Sequence, residues 1–185
     1  MLKKISLGQI IITLAIQPRQ AETHEGGRDS IMRISSSTEP EISCRISHTL
    51  LMYVREQNDG SLGDLLEGLD LDEPYLLDTN NWISHDFLQT LYQRMIRILN
   101  DEDAVYKMAL ATMRFKSYGI LDRIARLIKD PKIGYSSIPK YSRMVRAKGD
   151  VFVHELGNSW ALVEERYHDG SKKTHYDCDY MRGVL

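Results

Sequence analysis

Between Tyr75 and Leu127 the chain reads YLLDTNNWISHDFLQTLYQRMIRILNDEDAVYKMALATMRFKSYGILDRIARL. Its starts, apolar stripes and stops dictate a run of packed helices. Ser84 stands where an N-cap hydroxyl would accept from the first turn, and Asp86 puts a negative charge near a helix N-terminus. Phe87, Leu88, Leu91, Met95, Ile98 and Leu99 then recur at helical spacing. Asn100-Asp101 breaks that stripe, and Asp101 is placed to cap the next helix. Val105, Met108, Ala109, Thr112 and Phe115 mark one side of this next helix, which ends near Gly119. Ala109 and Ala111 are small enough to let another helix approach closely. Ile120, Leu121, Ile124, Leu127 and Ile128 mark a further helix, stopped by Asp130-Pro131.

Upstream, Cys44, Ile46, Leu50, Leu51 and Val54 recur at helical spacing, and Asp59-Gly60 closes that helix. Leu62 to Leu69 reads as a short helix or turn ended by Gly68, and Pro74 opens another short segment. Residues 41–185 thus form the domain, a helical part followed by a β-hairpin, and residues 1–40 an extension and linker. Met1 to Ile16 has the outline of a signal peptide, a lysine pair before an apolar run. Gln9 interrupts the run and no small-residue cleavage site follows. A strand or an upstream extension are the alternatives. Residues 17–41 are polar and aperiodic, which reads as a disordered linker.

Downstream of Lys132 the pattern changes. Residues 140–148 read as a short helix or an extended linker. Asp150 to Leu156 and Trp160 to Tyr167 are rich in Val, Phe, Trp and Tyr and flank Gly157-Asn158, a hairpin signal. The last eight residues, CDYMRGVL, read as the start of a helix cut short, so the domain reads as truncated. Helices first and an antiparallel pair second give an α+β fold, an N-terminal helical bundle packed on a C-terminal antiparallel β-hairpin.

The chemistry of the chain is defined largely by what it omits. There is no G-x-x-x-x-G-K-[ST] loop, no G-x-G-x-x-G after a strand and no G-x-S-x-G elbow. Kinase, dinucleotide and serine-hydrolase readings lack their minimal parts, and the chain reads as a non-enzyme. A net charge of −2 exerts no overall pull toward nucleic acid or acidic lipid. Two cysteines, Cys44 and Cys178, fit a reducing, cytoplasmic compartment. The apolar runs are too short for a membrane-spanning helix.

Several residues invite a sharper reading. His168, His175 and Cys178 could supply three zinc ligands. A structural site needs two tight ligand pairs, and only one is present. They read instead as a turn histidine, a surface histidine and a buried thiol, with no metal. His85 sits in a first helical turn, where the dipole disfavours protonation, and reads as a surface residue rather than a base. His154 falls in a predicted strand and its facing is open. Residues 129–148 form a local basic patch with Tyr135 and Tyr141 interleaved. Without a helix-turn-helix or stacking motif, this patch reads as a solvated or partner-docking face rather than a nucleic-acid surface. Trp82, Tyr106, Phe115, Tyr118 and Trp160 are the candidates to line an apolar ligand pocket, set between the 84–117 helices and the 151–167 hairpin.

The runs LLEGLDLDEPYLLDTNNWIS, ILNDEDAVYKMALATMRFKSYGILDRIARLIKDPKIGYSSIPKYSRMV, VHELGNSWALVEERYH and CDYMRGVL, in this order, carry a resemblance across residues 41–185. The chain resembles an uncharacterised amino-terminal input region of bacterial signalling proteins, one that precedes histidine kinase, PAS, diguanylate cyclase or nucleotide cyclase modules. The resemblance implies a sensory or regulatory module whose shape is similar to the vinyl-reductase-like and haem-nitric-oxide-like sensors. It implies an unidentified small molecule or an output module such as a kinase as partner. It names no cofactor and carries no ligand residues over. A homodimerisation module and a nucleic-acid-binding regulator acting through residues 129–148 are the competing expectations.

Overall fold

The computed structural model describes residues 2–7, 10–15, 40–58, 62–128, 130–157, 160–168 and 173–184. The expected linker at 17–41 lies almost wholly outside the described residues. The first segment is a pair of strands: β1 (Leu2–Leu7) runs antiparallel to β2 (Ile10–Ala15), with Leu7 opposite Ile10. No helix among the described residues is long and apolar enough to cross a membrane.

A two-residue strand, β3 (Ile42–Ser43), leads into α1 (Cys44–Gln57), and the Ser43 hydroxyl accepts from the Arg45 N–H to cap it. Two short helices follow, α2 (Gly63–Leu66) and α3 (Glu73–Leu77). Gly68 takes a φ of 66° after α2, the left-handed conformation that only glycine adopts without a Cβ penalty. Strand β4 (Trp82–Ile83) pairs antiparallel with β3, placing Ile42 opposite Ile83. Helix α4 (His85–Leu99) starts at Ser84, whose hydroxyl accepts from the Phe87 N–H, and ends at left-handed Asn100.

The single helix expected between Asp101 and Gly119 is two. Helix α5 (Ala104–Leu110) stops at Ala111 and α6 (Thr112–Phe115) follows, ended by left-handed Lys116. The Asp101 side chain accepts from the Asp103 N–H, one residue ahead of α5, and so supports the approach to the helix. Helix α7 (Ile120–Leu127) stops before Pro131, as expected. Pro131 also starts α8 (Pro131–Ser142), a helix the sequence reading missed. Asp130 caps α8 by accepting from the Lys132 N–H, and a proline in the first turn forfeits no helical bond.

The hairpin is β5 (Gly149–Leu156) and β6 (Ala161–Tyr167), antiparallel with Leu156 opposite Ala161. Strand β2 lies alongside β6. The last element is α9 (His175–Val184), which packs on α5. A Cβ on Gly183 would stand 2.5 Å from the Ala109 Cβ and 2.6 Å from the Tyr106 carbonyl oxygen. The small residues thus permit the close helix approach expected at Ala109. The architecture is α+β.

Two apolar cores result. The larger holds Leu50 and Val54 of α1, Leu65 and Leu76 of α2 and α3, Leu88 and Met95 of α4, and Met108 of α5. The smaller lies under the hairpin: Val151, Ala161 and Val163, with Tyr135, Ile138 and Met181 packed against them.

Candidate functional site

Helix α4 buries two faces. Its apolar face enters the larger core through Leu88, Leu91 and Met95. His85, Gln89 and Tyr92, spaced i, i+4 and i+7, form a second buried stripe that is polar. Strand β6 changes character in the same direction. Alternation puts Ala161, Val163, Glu165 and Tyr167 on one face, and the apolar pair serves the hairpin core. Glu165 and Tyr167 instead meet Arg146, which follows α8 and bridges to Ile42. Asp177 of α9 completes the set. The seam between helices and hairpin is therefore ionic.

The geometry is dense. His85 Nε2 lies 3.1 Å from each Asp177 oxygen. The same nitrogen also stands 3.0 Å from the Gln89 amide Nε2, so its tautomer sets the direction of these bonds. Gln89 Nε2 donates to Asp177 Oδ1 at 3.3 Å, and its Oε1 accepts from Thr174 Oγ1 at 2.6 Å. The Thr174 N–H donates to Asp177 Oδ2 at 2.9 Å. Arg146 Nη1 stands 2.9 Å from Glu165 Oε1 and donates to the Tyr167 hydroxyl, and Arg146 Nη2 is 3.7 Å from Asp177 Oδ1. Lys173 Nζ donates to Glu165 Oε2 at 2.9 Å. The Tyr167 ring meets His85 edge-on at 5.9 Å and lies under the Arg146 guanidinium at 5.3 Å.

Asp177 has no exposed surface and Arg146 is 5% exposed. Burial alone would push the Asp177 carboxyl up. His85, Arg146 and the Thr174 N–H together outweigh it and hold the group below its ordinary range. Burial drives the Tyr92 and Tyr180 hydroxyls well above theirs. Tyr180 shares a hydrogen bond with Tyr118. Two buried donors, Tyr92 Oη and Arg146 Nη2, find no hydrogen-bond acceptor among the described residues.

His85 is thus a correction to the sequence reading. It is 7% exposed, and its partner lies 92 positions downstream. A first-turn histidine looks solvated when only its own helix is in view. The legible signal was the H-x-x-x-Q-x-x-Y stripe on one side of an otherwise apolar helix.

The five pocket candidates have different surroundings. Tyr118 meets the seam through Tyr180. The Tyr106 ring lies under the Arg182 guanidinium at 4.3 Å, so both tyrosines face α9. Phe115 packs at the border of the larger core. Trp82 pairs with Ser43 in β4, and Trp160 is exposed at the hairpin turn. Between α4 and β6, where the pocket was expected, stand the buried side chains of the ionic seam. A separate depression of about 410 Å3 lies on the outer side of α1 and α5, lined by Tyr53, Gln57, Lys107, Leu110, Ala111 and Arg114. Its two cations already pair with Asp101 and Glu56.

Three further histidines are paired or stacked. His154 Nε2 meets Glu164 at 2.6 Å, and with Arg166 it holds that carboxyl to about 2. His168 bonds Asp150 at 2.9 Å, and His175 packs on Tyr176 at 3.8 Å. Cys178 is half-buried, and burial raises its thiol. No cluster of His, Cys, Asp and Glu among the described residues has metal-binding geometry. No family model, curated relative or solved structure matches the chain, so its function is argued from the seam itself.

Proposed function

We propose that the chain is a non-enzymatic, cytoplasmic input module of a bacterial signalling protein. It takes up a small molecule bearing a carboxylate or carbonyl at the seam between α4, β6 and α9. Occupancy is relayed through the packing of α9 and the hairpin to an output module. The observation that carries this reading is the buried Tyr92 Oη, which finds no acceptor among the described residues, together with Arg146 Nη2, which reaches Asp177 Oδ1 only at 3.7 Å. Buried polar groups in folded proteins are overwhelmingly paired, and an orphaned donor marks a place for one more acceptor. Charge on both sides of the seam supplies the relay. A ligand that pairs with Arg146 competes with Glu165 and Asp177, and so binds two arrangements of the hairpin unequally.

The test is a thermal-shift screen of the purified protein against a panel of small carboxylates and carbonyl metabolites. A hit should raise Tm in the parent protein and lose its effect in Tyr92→Phe, which keeps the ring and removes the donor. If no compound shifts Tm and pull-downs return no output partner, the sensory reading fails.

A further inference from the structure

Helix α7 exposes part of the apolar stripe that marks it in the sequence. Ile120 is 62% exposed and Leu127 79%, while Asp122 on the same helix is 2% exposed. Asp122 is held inward because its carboxylate accepts from the Tyr118 N–H at 2.9 Å, closing the turn between left-handed Lys116 and Gly119. Arg126 then donates to the Met113 carbonyl at 2.7 Å and fixes the helix against α6. Ile120, Arg123 and Leu127, at i, i+3 and i+7, form one outward stripe in which an exposed cation separates two exposed aliphatic side chains. Ile133, in the first turn of α8, is 56% exposed.

Charge identifies the partner. Residues 104–149 hold eleven Lys and Arg against Asp122 and Asp130. Lys107, Arg114, Arg143, Arg146 and Lys148 pair with acids outside the segment; the others are Lys116, Arg123, Arg126, Lys129, Lys132 and Lys140. Residues 56–103 hold twelve acids against Arg94 and Arg97. The net charge of −2 hides this division. Asp122 is buried, so the acid this basic segment exposes is Asp130, which caps α8. A second copy docked symmetrically through α7 would set Arg123 and Arg126 against themselves. Protruding aliphatic side chains among exposed cations suit insertion into a headgroup layer of opposite charge.

We infer that α7 and the start of α8 form a peripheral docking face for an anionic phospholipid membrane. Ile120, Leu127 and Ile133 enter the headgroup region, and Arg123 and Arg126 pair with lipid phosphates and carboxylates. This inference goes beyond the sensory reading and stands independently of the seam.

Flotation with vesicles tests it. Binding is expected to phosphatidylcholine vesicles containing about one quarter phosphatidylserine, and not to phosphatidylcholine alone. Leu127→Glu should weaken binding by roughly tenfold or more, because it removes an inserted side chain and adds a repelled charge. Arg123→Gln should weaken it by about fivefold, an effect that salt erases. Both side chains are exposed, so both variants should melt with the parent. A Leu127→Trp variant should show a vesicle-dependent blue shift that the parent lacks. The inference is overturned if anionic vesicles do not carry the protein, if Leu127→Glu binds like the parent, or if the face captures nucleic acid and ignores vesicles. A thermal-shift hit lost in Tyr92→Phe would still support the seam, so the two readings fail separately.

Discussion

The helical core and the hairpin seam hold the same protein together in opposite ways. In the core, Leu50, Leu88, Met95 and Met108 fill space with apolar volume, a contact that tolerates small adjustments. In the seam, Arg146, Glu165, Asp177 and His85 satisfy one another only as a set. An apolar core loses stability in proportion to what is removed. A buried ionic seam loses more than the missing contact, because the partner left behind is a charge without water. The hairpin is thus fixed by an interaction that is specific and brittle.

That comparison can be broken most sharply at Arg146. Arg146→Ala leaves Asp177 and Glu165 buried with less compensation and should cost about 3–5 kcal/mol in urea unfolding. If the seam acts as a set, Arg146→Leu combined with Glu165→Leu should cost less than the two single changes added together. An additive result would place Glu165 outside the set. On the apolar side, Gly183→Ala drives a methyl into Ala109 and Tyr106 and should cost about 1–3 kcal/mol. Ala109→Gly should recover part of that loss, which would locate the cost at the α5–α9 contact.

Acid separates the two regions without mutation. Asp177 has a depressed folded-state pKa, so its stabilisation is present above the unfolded carboxylate value. It is lost as pH falls through the lower folded value. Asp122 is raised by burial and shifts in the opposite sense: the folded state takes up its proton first, so its penalty is relieved on acidification. Urea midpoints followed from neutral pH into the acid range should therefore fall less steeply in Asp177→Asn than in the parent. An unchanged slope would remove Asp177 from the acid response. The smallest expected effect is at Ser84. Losing its cap on α4 in Ser84→Ala should cost about 1 kcal/mol and leave the seam's pH response intact.

The helical half was legible because its grammar is local. Ser84, Asn100, Gly68 and Pro131 act within a turn or two of their own positions, and the hairpin around Gly157 obeys the same rule. Residues 131–142 were missed because proline reads as a stop, although Asp130 ahead of it makes it a start. The seam was not legible. Its members come from α4, β6, α9 and the turn after α8, and their pairings span as many as 92 positions. Tyr118 was singled out as an aromatic wall and turns out to reach the seam through its hydroxyl.

The sequence by itself determined α1, α4 and the β5–β6 hairpin, since capping, periodicity and turn chemistry are properties of neighbouring residues. It also marked Ala109 as small enough to let another helix approach closely. Tertiary structure alone decided which way each stripe points. Ile120 and Leu127 mark a helix without showing where they point, and they face outward while the Asp122 carboxylate binds the turn before the helix. His85 reads as surface and is buried, because Asp177 arrives from the far end of the chain. Periodicity names a helix and its faces, but only the elements that pack against it decide which face meets water.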